Sequence, residues 1–301
     1  MKVGVIGAGY WGKKHVEEYR ALGVEVVVAD LDKKNLAICK EKYNTHVTNN
    51  MNDIISDPEI ACVSICTPNQ THYPIGKQAL LAGKNVLLEK PMTLKSKDAD
   101  ELVNLAKKKG LTLMVGHLFR FANVVRKAKE LLQHRELGEI YLVKLSWTNL
   151  EPIFVGRDVV FDLTPHAFDM INFLFEKNPL YLSYYGAGFR QEQEEAAFIS
   201  GKISNILLHL EVSWVTPDKA RLLTIIGSKK MLQAECVKQT LRLYDIQTKS
   251  WTDVPIVANN TLREELENFL NCAKMKKVSI VDGKVGADII RVIESMKKPE
   301  L

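Results

Sequence analysis

The sequence has few cysteines, no long apolar run and no block of charge of one sign. Its cysteines are odd in number and scattered, which argues against a disulfide framework and is typical of free thiols in a reducing compartment; they are Cys39, Cys62, Cys66, Cys236 and Cys272. No uncharged apolar stretch approaches the roughly 18 residues that a membrane-spanning helix needs. The first residues lead straight into a strand-like segment without a signal-peptide cleavage site. We therefore expect a cytoplasmic protein without a membrane partner.

Basic and acidic residues are nearly balanced and are interspersed. The 41 lysines and arginines against 36 aspartates and glutamates leave a net charge of +5, whereas a nucleic-acid-binding protein usually concentrates its basic residues in a stripe or arm. We therefore expect no nucleic-acid partner. The length of 301 residues, with 46% hydrophobic residues, suits two globular domains.

Residues 1 to about 116 alternate short apolar runs with segments of helical periodicity. The runs are typical of parallel strands buried on both faces, and they are Val3–Ile6, Val24–Ala29, Ala61–Cys66, Val86–Leu88 and Leu111–Val115. Helices are predicted over Trp11–Leu22 and over Lys97–Lys109, the second with Ser96 as its N-cap. This alternation predicts an α/β domain with a parallel sheet over residues 1–120.

Residues 121–301 have a different pattern, in which strands follow one another. Helices are predicted over Val124–Gln133 and Ala167–Phe175, and strands over Glu139–Thr148, Leu180–Gly186, Ala196–Ser200, Asn205–Trp214, Leu222–Ile226, Met231–Cys236 and Thr240–Tyr244. Gly201-Lys202 and Gly227-Ser228-Lys229 are typical of hairpin turns. Two helices follow, one from Thr261 with Glu264 as a capping box and one over Val285–Met296. The pattern predicts an α+β domain on an open, mainly antiparallel sheet.

A glycine loop, Gly7-Ala8-Gly9-Tyr10-Trp11-Gly12, joins the first predicted strand to the first helix. In this context G-x-G-x-x-G predicts a dinucleotide site, because the glycines permit a tight turn and close approach to a pyrophosphate at the helix N-terminus. Asp30 ends the second strand, where its carboxylate can accept bonds from a ribose. Two alternatives remain open on these residues, a glycine-rich turn with a solvated acid and an S-adenosylmethionine methyltransferase.

Three further strand ends carry residues suited to chemistry, because ligands of doubly wound sheets bind at the carboxyl ends of the strands. They are Thr67-Pro68-Asn69 with His72, Glu89-Lys90-Pro91, and Gly116-His117. Lys90 directly follows a buried strand and precedes a proline, which favours a lysine held near the cofactor cleft. A surface lysine is equally compatible with its position alone.

Asp162 and His166 are four residues apart, with Pro165 expected in the first turn of a helix. The carboxylate can then orient the imidazole, and a histidine is the usual general base for oxidation of a secondary alcohol. A helix cap and a buried core histidine are the alternatives. A metal site formed with Asp169 is disfavoured, because no further His or Cys ligands lie nearby, so we expect no metal.

In their order along one chain these motifs resemble the Gfo/Idh/MocA family of sugar oxidoreductases, which includes glucose–fructose oxidoreductase and inositol 2-dehydrogenase. The resemblance covers essentially the whole chain. It implies a Rossmann domain over residues 1–120 and a substrate and oligomerisation domain over 121–301, with a final helix near 285–298 that packs back on the first domain. It also implies a cis peptide before Pro91 and a homodimer or homotetramer formed through the C-terminal sheet.

The resemblance assigns the site residues. The catalytic set would be Lys90, Asp162 and His166, with His166 as the acid/base. The cofactor-binding set would be Gly7, Gly9, Tyr10, Trp11, Gly12, Asp30, Thr67, Pro68, Asn69, His72, Glu89 and Lys90. Contacts with substrate would come from Lys90, His117, Arg120, Arg157, Asp162 and His166.

The chain departs from the family in one segment. Many relatives carry three consecutive glycines before the D-x-x-x-H pair, whereas this chain has Gly156-Arg157-Asp158-Val159-Val160-Phe161. This approach resembles members that oxidise C3 of UDP-linked N-acetylhexosamines or their uronic acids. Arg157 and Arg120 are therefore candidates to bind a diphosphate or carboxylate, with a surface ion pair as the alternative for each.

The expected activity is an NAD(P)-dependent dehydrogenase of a ring hydroxyl on a sugar or sugar nucleotide. NAD is expected over NADP, because the carboxylates of Asp30 and Asp32 would repel a 2′-phosphate. The alternatives are an inositol or simple-hexose dehydrogenase of the same family and a non-catalytic NAD-binding regulator.

Overall fold

The computed structural model describes residues 2–154 and 156–297, which fall into two compact units. The first unit contains the chain up to residue 118 together with residues 261–290. The second contains residues 119–260 and 291–297, apart from residue 155.

The first unit is built on a parallel six-stranded sheet. Its strands are β1 (Lys2–Ile6), β2 (Glu25–Ala29), β3 (His46–Thr48), β4 (Ile60–Ile65), β5 (Asn85–Leu88) and β6 (Leu113–Val115). The helices between them are α1 (Tyr10–Ala21), α2 (Lys33–Tyr43), α3 (Asn52–Ile55), α4 (His72–Leu81) and α5 (Ser96–Lys109). The strand order β3-β2-β1-β4-β5-β6 places a topological switch point between β1 and β4, where such sheets bind dinucleotides.

The predicted parallel strands are confirmed, and their central residues are fully buried between helices. Val5, Val63 and Leu88 all have no exposed surface, as a strand covered on both faces requires. The predicted N-cap of α5 is wrong, because Ser96 is already helical and Lys95 precedes it without a capping side-chain bond.

The second unit is built on an eight-stranded sheet in the order β14-β13-β12-β11-β7-β10-β9-β8. Its strands are β7 (Ile140–Leu150), β8 (Leu180–Ala187), β9 (Ala196–Ile203), β10 (Ile206–Ser213), β11 (Val215–Gly227), β12 (Lys230–Glu235), β13 (Thr240–Asp245) and β14 (Ser250–Val254). Neighbouring strands are antiparallel except β7 and β10. Helices α6 (Asn123–Gln133) and α7 (Val159–Phe175) pack on the face that carries Val143, Leu145 and Trp147.

Two local predictions in this unit are wrong. Helix α7 begins at Val159 and not near residue 167, because Asp158 caps it by accepting a 2.8 Å hydrogen bond from the Phe161 N–H. Pro165 is therefore inside the helix. Gly201-Lys202 lies within β9, and the turn follows at Ser204, whose φ is 56°; the Gly227–Lys229 turn is confirmed.

Two helices complete the description, α8 (Thr261–Met275) and α9 (Gly283–Lys297). α8 packs on α1 and forms an ion pair between Arg263 and Glu18 at 2.8 Å. The segment after α8 extends the edge of the sheet at β6. The Val115 N–H donates a 3.0 Å hydrogen bond to the Val281 carbonyl, an ordinary length for such a bond. Across residues 2–154 and 156–297 we find no helix with the length and apolarity to cross a membrane.

Candidate active site

The glycine loop has the geometry that close approach to a pyrophosphate requires. Gly7 has a φ of +89°, and a Cβ on Gly12 would lie 1.9 Å from the Gly7 carbonyl oxygen, so neither position accepts a side chain. A Cβ on Gly9 would meet nothing within 4 Å. Gly9 is also the N-cap of α1 and supplies no side-chain cap, which leaves the first-turn N–H groups suited to phosphate. The loop therefore fits a dinucleotide, and Tyr10 and Trp11 lie in that first turn.

Asp30 joins the end of β2 to the glycine loop. Its Oδ2 accepts a hydrogen bond from the Ala8 N–H at 2.5 Å, and its Oδ1 accepts one from the Asp32 N–H at 2.7 Å. Asp32 in turn caps α2 by accepting from the Lys34 N–H at 2.8 Å. Lys33 and Lys34 form the exposed first turn of α2, so the acidic end of β2 is fixed while the lysines point to the helix surface.

The segment after β4 packs against the glycine loop, and Thr67, Pro68 and Asn69 are all at least partly exposed there. His72 is different. Its ring has no exposed surface, with Nδ1 2.8 Å from the Pro91 carbonyl oxygen and Nε2 2.9 Å from that of Thr67. Burial lowers the pKa of His72, although both carbonyls counteract it. His72 therefore connects the segments that follow β4 and β5, and its predicted contact with a cofactor stays a prediction.

Glu89 also lies beneath the surface. It is 6% exposed, and its Oε1 is 3.0 Å from Nε2 of the fully buried His15, while its Oε2 accepts from the Lys90 N–H at 3.1 Å. Burial alone would raise the pKa of Glu89, but the His15 bond and the charges of His15 and Lys90 hold it below its usual value. A Cβ on Gly116 would lie 3.1 Å from this carboxylate. Glu89 therefore supports the Lys90 backbone, and its predicted contact with cofactor stays a prediction.

The remaining strand-end predictions have mixed outcomes. The Lys90–Pro91 peptide is cis, as the resemblance implied. His117 is 1% exposed, and its predicted contact with substrate stays a prediction.

In the second unit the first two turns of α7 carry the acid and the imidazole. Asp162 lies in the first turn, where the helix dipole stabilises a carboxylate, and its Oδ1 accepts a 3.0 Å bond from Arg157 Nη2. His166 follows one turn later and is 7% exposed, with the Phe119 ring edge-on at a centroid distance of 5.3 Å. Arg157 itself covers the Phe154 ring at 4.6 Å. The structure thus pairs Arg157 with Asp162, and His166 follows Asp162 by one turn of α7.

Arg120 occupies a buried ion pair. Its Nε and Nη2 lie 2.8 and 2.7 Å from Asp169 Oδ1, and Nη2 also donates to Asn172 at 2.8 Å. Arg120 is 5% exposed and Asp169 is 1% exposed. Arg120 thus forms an ion pair that is buried and not on the surface, and its predicted contact with substrate stays a prediction. Asp169 is the partner of Arg120 in this ion pair. Among the described residues, no three His, Cys, Asp or Glu side chains lie close enough together to hold a metal ion.

Removal of Asp169 should destabilise the second unit strongly. Asp169→Ala leaves the Arg120 guanidinium buried without its counter-ion, which we expect to lower the free energy of unfolding by about 3–5 kcal/mol. Urea denaturation measures this change. Glu130→Ala removes an exposed ion pair with Lys127 on α6 and should leave the transition in place; a loss below about 1 kcal/mol for Asp169→Ala would contradict the assigned role.

Arg221 was not among the residues predicted for the site. It lies on β11 opposite Trp147 of β7. It is 9% exposed, and its Nη2 donates to Asn149 Oδ1 at 2.9 Å. Burial lowers the pKa of Arg221, and the carboxylates of Asp162 and Glu151 counteract that effect. The available signal was a lone arginine before the apolar run Leu222–Ile226, because an inward-facing charge in a strand requires a partner or a function.

A nicotinamide-nucleotide oxidoreductase is the class of protein that this sheet order, glycine loop and acid–imidazole pair define. The profile of an oxidoreductase family with an NAD-binding Rossmann fold matches residues 1–117, and that of the Gfo/Idh/MocA C-terminal domain matches residues 125–233. The chain belongs to the Gfo/Idh/MocA family of sugar and sugar-nucleotide dehydrogenases.

Individual relatives match along most or part of the chain. UDP-N-acetylglucosamine 3-dehydrogenase of Acidithiobacillus ferrooxidans is 25% identical over 300 residues, which cover 96% of this chain and 94% of that protein. Its solved structure has a TM-score of 0.88 at 24% identity and covers 99% and 96% of the two chains. Myo-inositol 2-dehydrogenase of Thermotoga maritima is 27% identical over 182 residues, or 58% and 54% of the two chains. A levoglucosan dehydrogenase solved with NADH and levoglucosan shares the fold, with a TM-score of 0.88, 18% identity and coverage of 98% and 96%.

Proposed function

We propose that the protein is an NAD-dependent dehydrogenase that oxidises a ring secondary alcohol of a sugar nucleotide. The observation that carries this proposal is the arrangement on α7, where Asp162 is held by Arg157 one turn before His166. A protein that only binds a dinucleotide has no need of such a proton-transfer set.

In the forward direction His166 removes the proton of the substrate hydroxyl as general base. Asp162 orients the imidazole and stabilises its protonated form once the proton has arrived. Lys90 donates a hydrogen bond to the same substrate oxygen and stabilises the developing alkoxide charge. The nicotinamide, when bound, supplies the acceptor for the hydride that leaves the alcohol carbon.

The finer substrate assignment is a UDP-linked N-acetylhexosamine oxidised at C3. A relative that matches 96% of the chain is a UDP-N-acetylglucosamine 3-dehydrogenase, and Arg157 beside Asp162 suits an anionic substrate. Inositol and simple hexoses are the second candidates, supported by the partial match to a myo-inositol 2-dehydrogenase.

A screen for reduction of NAD tests the proposed activity. Wild-type protein is mixed with UDP-N-acetylglucosamine, its uronic acid, myo-inositol or simple hexoses, and formation of reduced nicotinamide is followed by absorbance. We expect turnover with the UDP-linked sugars. Bound cofactor without reduction by any of these sugars would instead support a non-catalytic NAD-binding regulator.

Cofactor choice gives a prediction for Asp30. We propose that Asp30 bonds the adenosine ribose of NAD and repels the 2′-phosphate of NADP. Asp30→Ala should lower kcat/KM for NAD roughly tenfold while that for NADP rises or holds, so that the ratio between the cofactors narrows. Steady-state kinetics with both cofactors measure the ratio, and Glu41→Ala, an exposed change on α2, is the matched control. A wild-type enzyme that prefers NADP would be incompatible with this assignment.

The outer face of the second sheet supports assembly of several copies of the chain. Tyr185, Phe198 and Leu207 are 83, 53 and 54% exposed on the face opposite Trp147. We propose a homodimer or homotetramer formed through this face, because exposed apolar patches commonly mark interfaces. Analytical ultracentrifugation tests it, and a monomer at micromolar concentration would contradict it.

The free thiols also support the proposed cytoplasmic location.

A further inference from the structure

Arg221 is a buried arginine on the inner face of the second sheet. Its side chain is paired across the strands with Trp147 and lies 5.8 Å from the centre of that ring. The Trp147 and Phe119 rings pack edge to face with their centroids 5.4 Å apart, and the Phe119 and His166 rings do so with centroids 5.3 Å apart. Two aromatic rings in contact, those of Trp147 and Phe119, therefore connect Arg221 to the proposed acid/base.

The bonds of Arg221 all go to neutral oxygens. Nη1 donates to the carbonyls of Thr148 and Ala220 at 2.9 and 2.7 Å, and Nη2 donates to Asn149 Oδ1 at 2.9 Å. A guanidinium has five N–H donors, so the Nε–H and one Nη2–H are left without an acceptor among residues 2–154 and 156–297. Asn149 Nδ2 donates to Glu151, so this carboxylate is hydrogen-bonded to the amide and acts on Arg221 through its charge at longer range.

Other arginines around α7 differ in this respect. Arg120 pairs with Asp169, Arg157 with Asp162 and Arg190 with Glu195. Within the described parts of the chain Arg221 forms no ion pair. A buried charge without a counter-ion is costly, and a fork with two uncommitted donors is the group that proteins use to bind planar or tetrahedral oxyanions.

We propose that Arg221 binds an oxyanion of the substrate, either a phosphate of a sugar nucleotide or the carboxylate of a uronic acid. Asn149 orients the guanidinium, and Arg157 neutralises Asp162 so that the acid does not repel the anion. The inference rests on the proposed function and specifies the substrate class as anionic sugars.

Equilibrium binding tests the proposal without requiring turnover. Calorimetry compares UDP, D-glucuronate and neutral D-glucose on wild type and on Arg221→Met, Arg221→Gln and Arg221→Lys, in the presence of saturating NAD. We expect Arg221→Met and Arg221→Gln to lower the affinity for UDP, for D-glucuronate or for both by about 10- to 100-fold. Arg221→Lys should recover only part of the loss, because an ammonium lacks the parallel donors. The anion that responds identifies the source, phosphate or carboxylate.

Arg242→Met is the matched control, because Arg242 also covers a tryptophan, Trp251 at 4.2 Å, and bonds a neutral glutamine side chain, but on the exposed strand β13. It should leave all three affinities unchanged. Thermal unfolding verifies that each variant is folded, and a crystal of wild type soaked with the responding anion supplies a second measurement if Arg221→Met does not fold. Unchanged anion affinity in folded Arg221→Gln, an equal loss for D-glucose, or an anion located away from Arg221 would each overturn the proposal. Failure of the NAD-reduction screen alone would refute the proposed reaction and leave this binding result standing.

Discussion

His166→Ala should lower kcat by about 10²–10⁴, the range for loss of a general acid/base. The affinity for NAD should stay within a factor of about two, because His166 lies on α7 of the second unit and not on the glycine loop. Stopped-flow or steady-state turnover gives kcat, and fluorescence of reduced cofactor gives its dissociation constant.

Two comparisons make this result specific. His134→Ala removes an exposed histidine just after α6 and should leave both quantities unchanged. Asp162→Asn preserves the shape of the acid but loses its charge, so it should reduce kcat less than His166→Ala does. Equal losses of cofactor affinity and turnover in His166→Ala would show that α7 had been disrupted and would remove the support for an acid/base role.

Lys90→Ala should abolish most activity, and Lys90→Arg should not restore it. An ammonium is a compact point charge, whereas the broad planar guanidinium cannot occupy the same tight position beside a reacting oxygen. The Lys90 N–H donates a 3.1 Å hydrogen bond to the Glu89 carboxylate, which holds the backbone at Lys90. We expect a fall in kcat of at least about 10²-fold for both variants, measured with saturating sugar and NAD.

Lys97→Ala, an exposed change in the first turn of α5, is the control for the charge removed. Full activity of Lys90→Arg would count against contact between Lys90 and the reacting oxygen. A lower affinity for sugar with unchanged kcat would assign Lys90 to binding alone.

The strongest sequence patterns predicted the sheet of the first unit, and the weak ones failed for identifiable reasons. Runs such as Val86–Leu88 are fully buried, and this is the condition under which unbroken apolar residues indicate a parallel strand. α4 was not predicted, because Pro74 and Gly76 within ten residues are typical of a loop. Gly76 is helical there, and a Cβ on it would lie 3.4–3.6 Å from the Leu88 and Leu102 side chains, which is ordinary van der Waals contact, so glycine is not sterically required at this position.

The site divides in the same way. Residues that a backbone motif fixes, such as Gly7 and Gly12, have the geometry expected of them. Residues judged by type at a strand end were less predictable, because His72 and Glu89 are polar and yet face inward to carbonyls and to His15. Arg221 could not be found from spacing, since its environment comes from strands distant in the sequence. Tertiary contacts decide whether a charged residue is a ligand or a structural partner.

Transfer of an isotope from sugar to cofactor tests the central claim most directly. UDP-N-acetylglucosamine carrying deuterium at C3 is incubated with the wild-type enzyme and NAD, and the mass of the reduced nicotinamide is measured. We predict that the reduced cofactor carries the deuterium, and that almost no reduced cofactor forms with His166→Ala. Formation of reduced cofactor without the label would contradict oxidation at C3, and its absence with this sugar and every other sugar of the screen would contradict the proposed dehydrogenase activity itself.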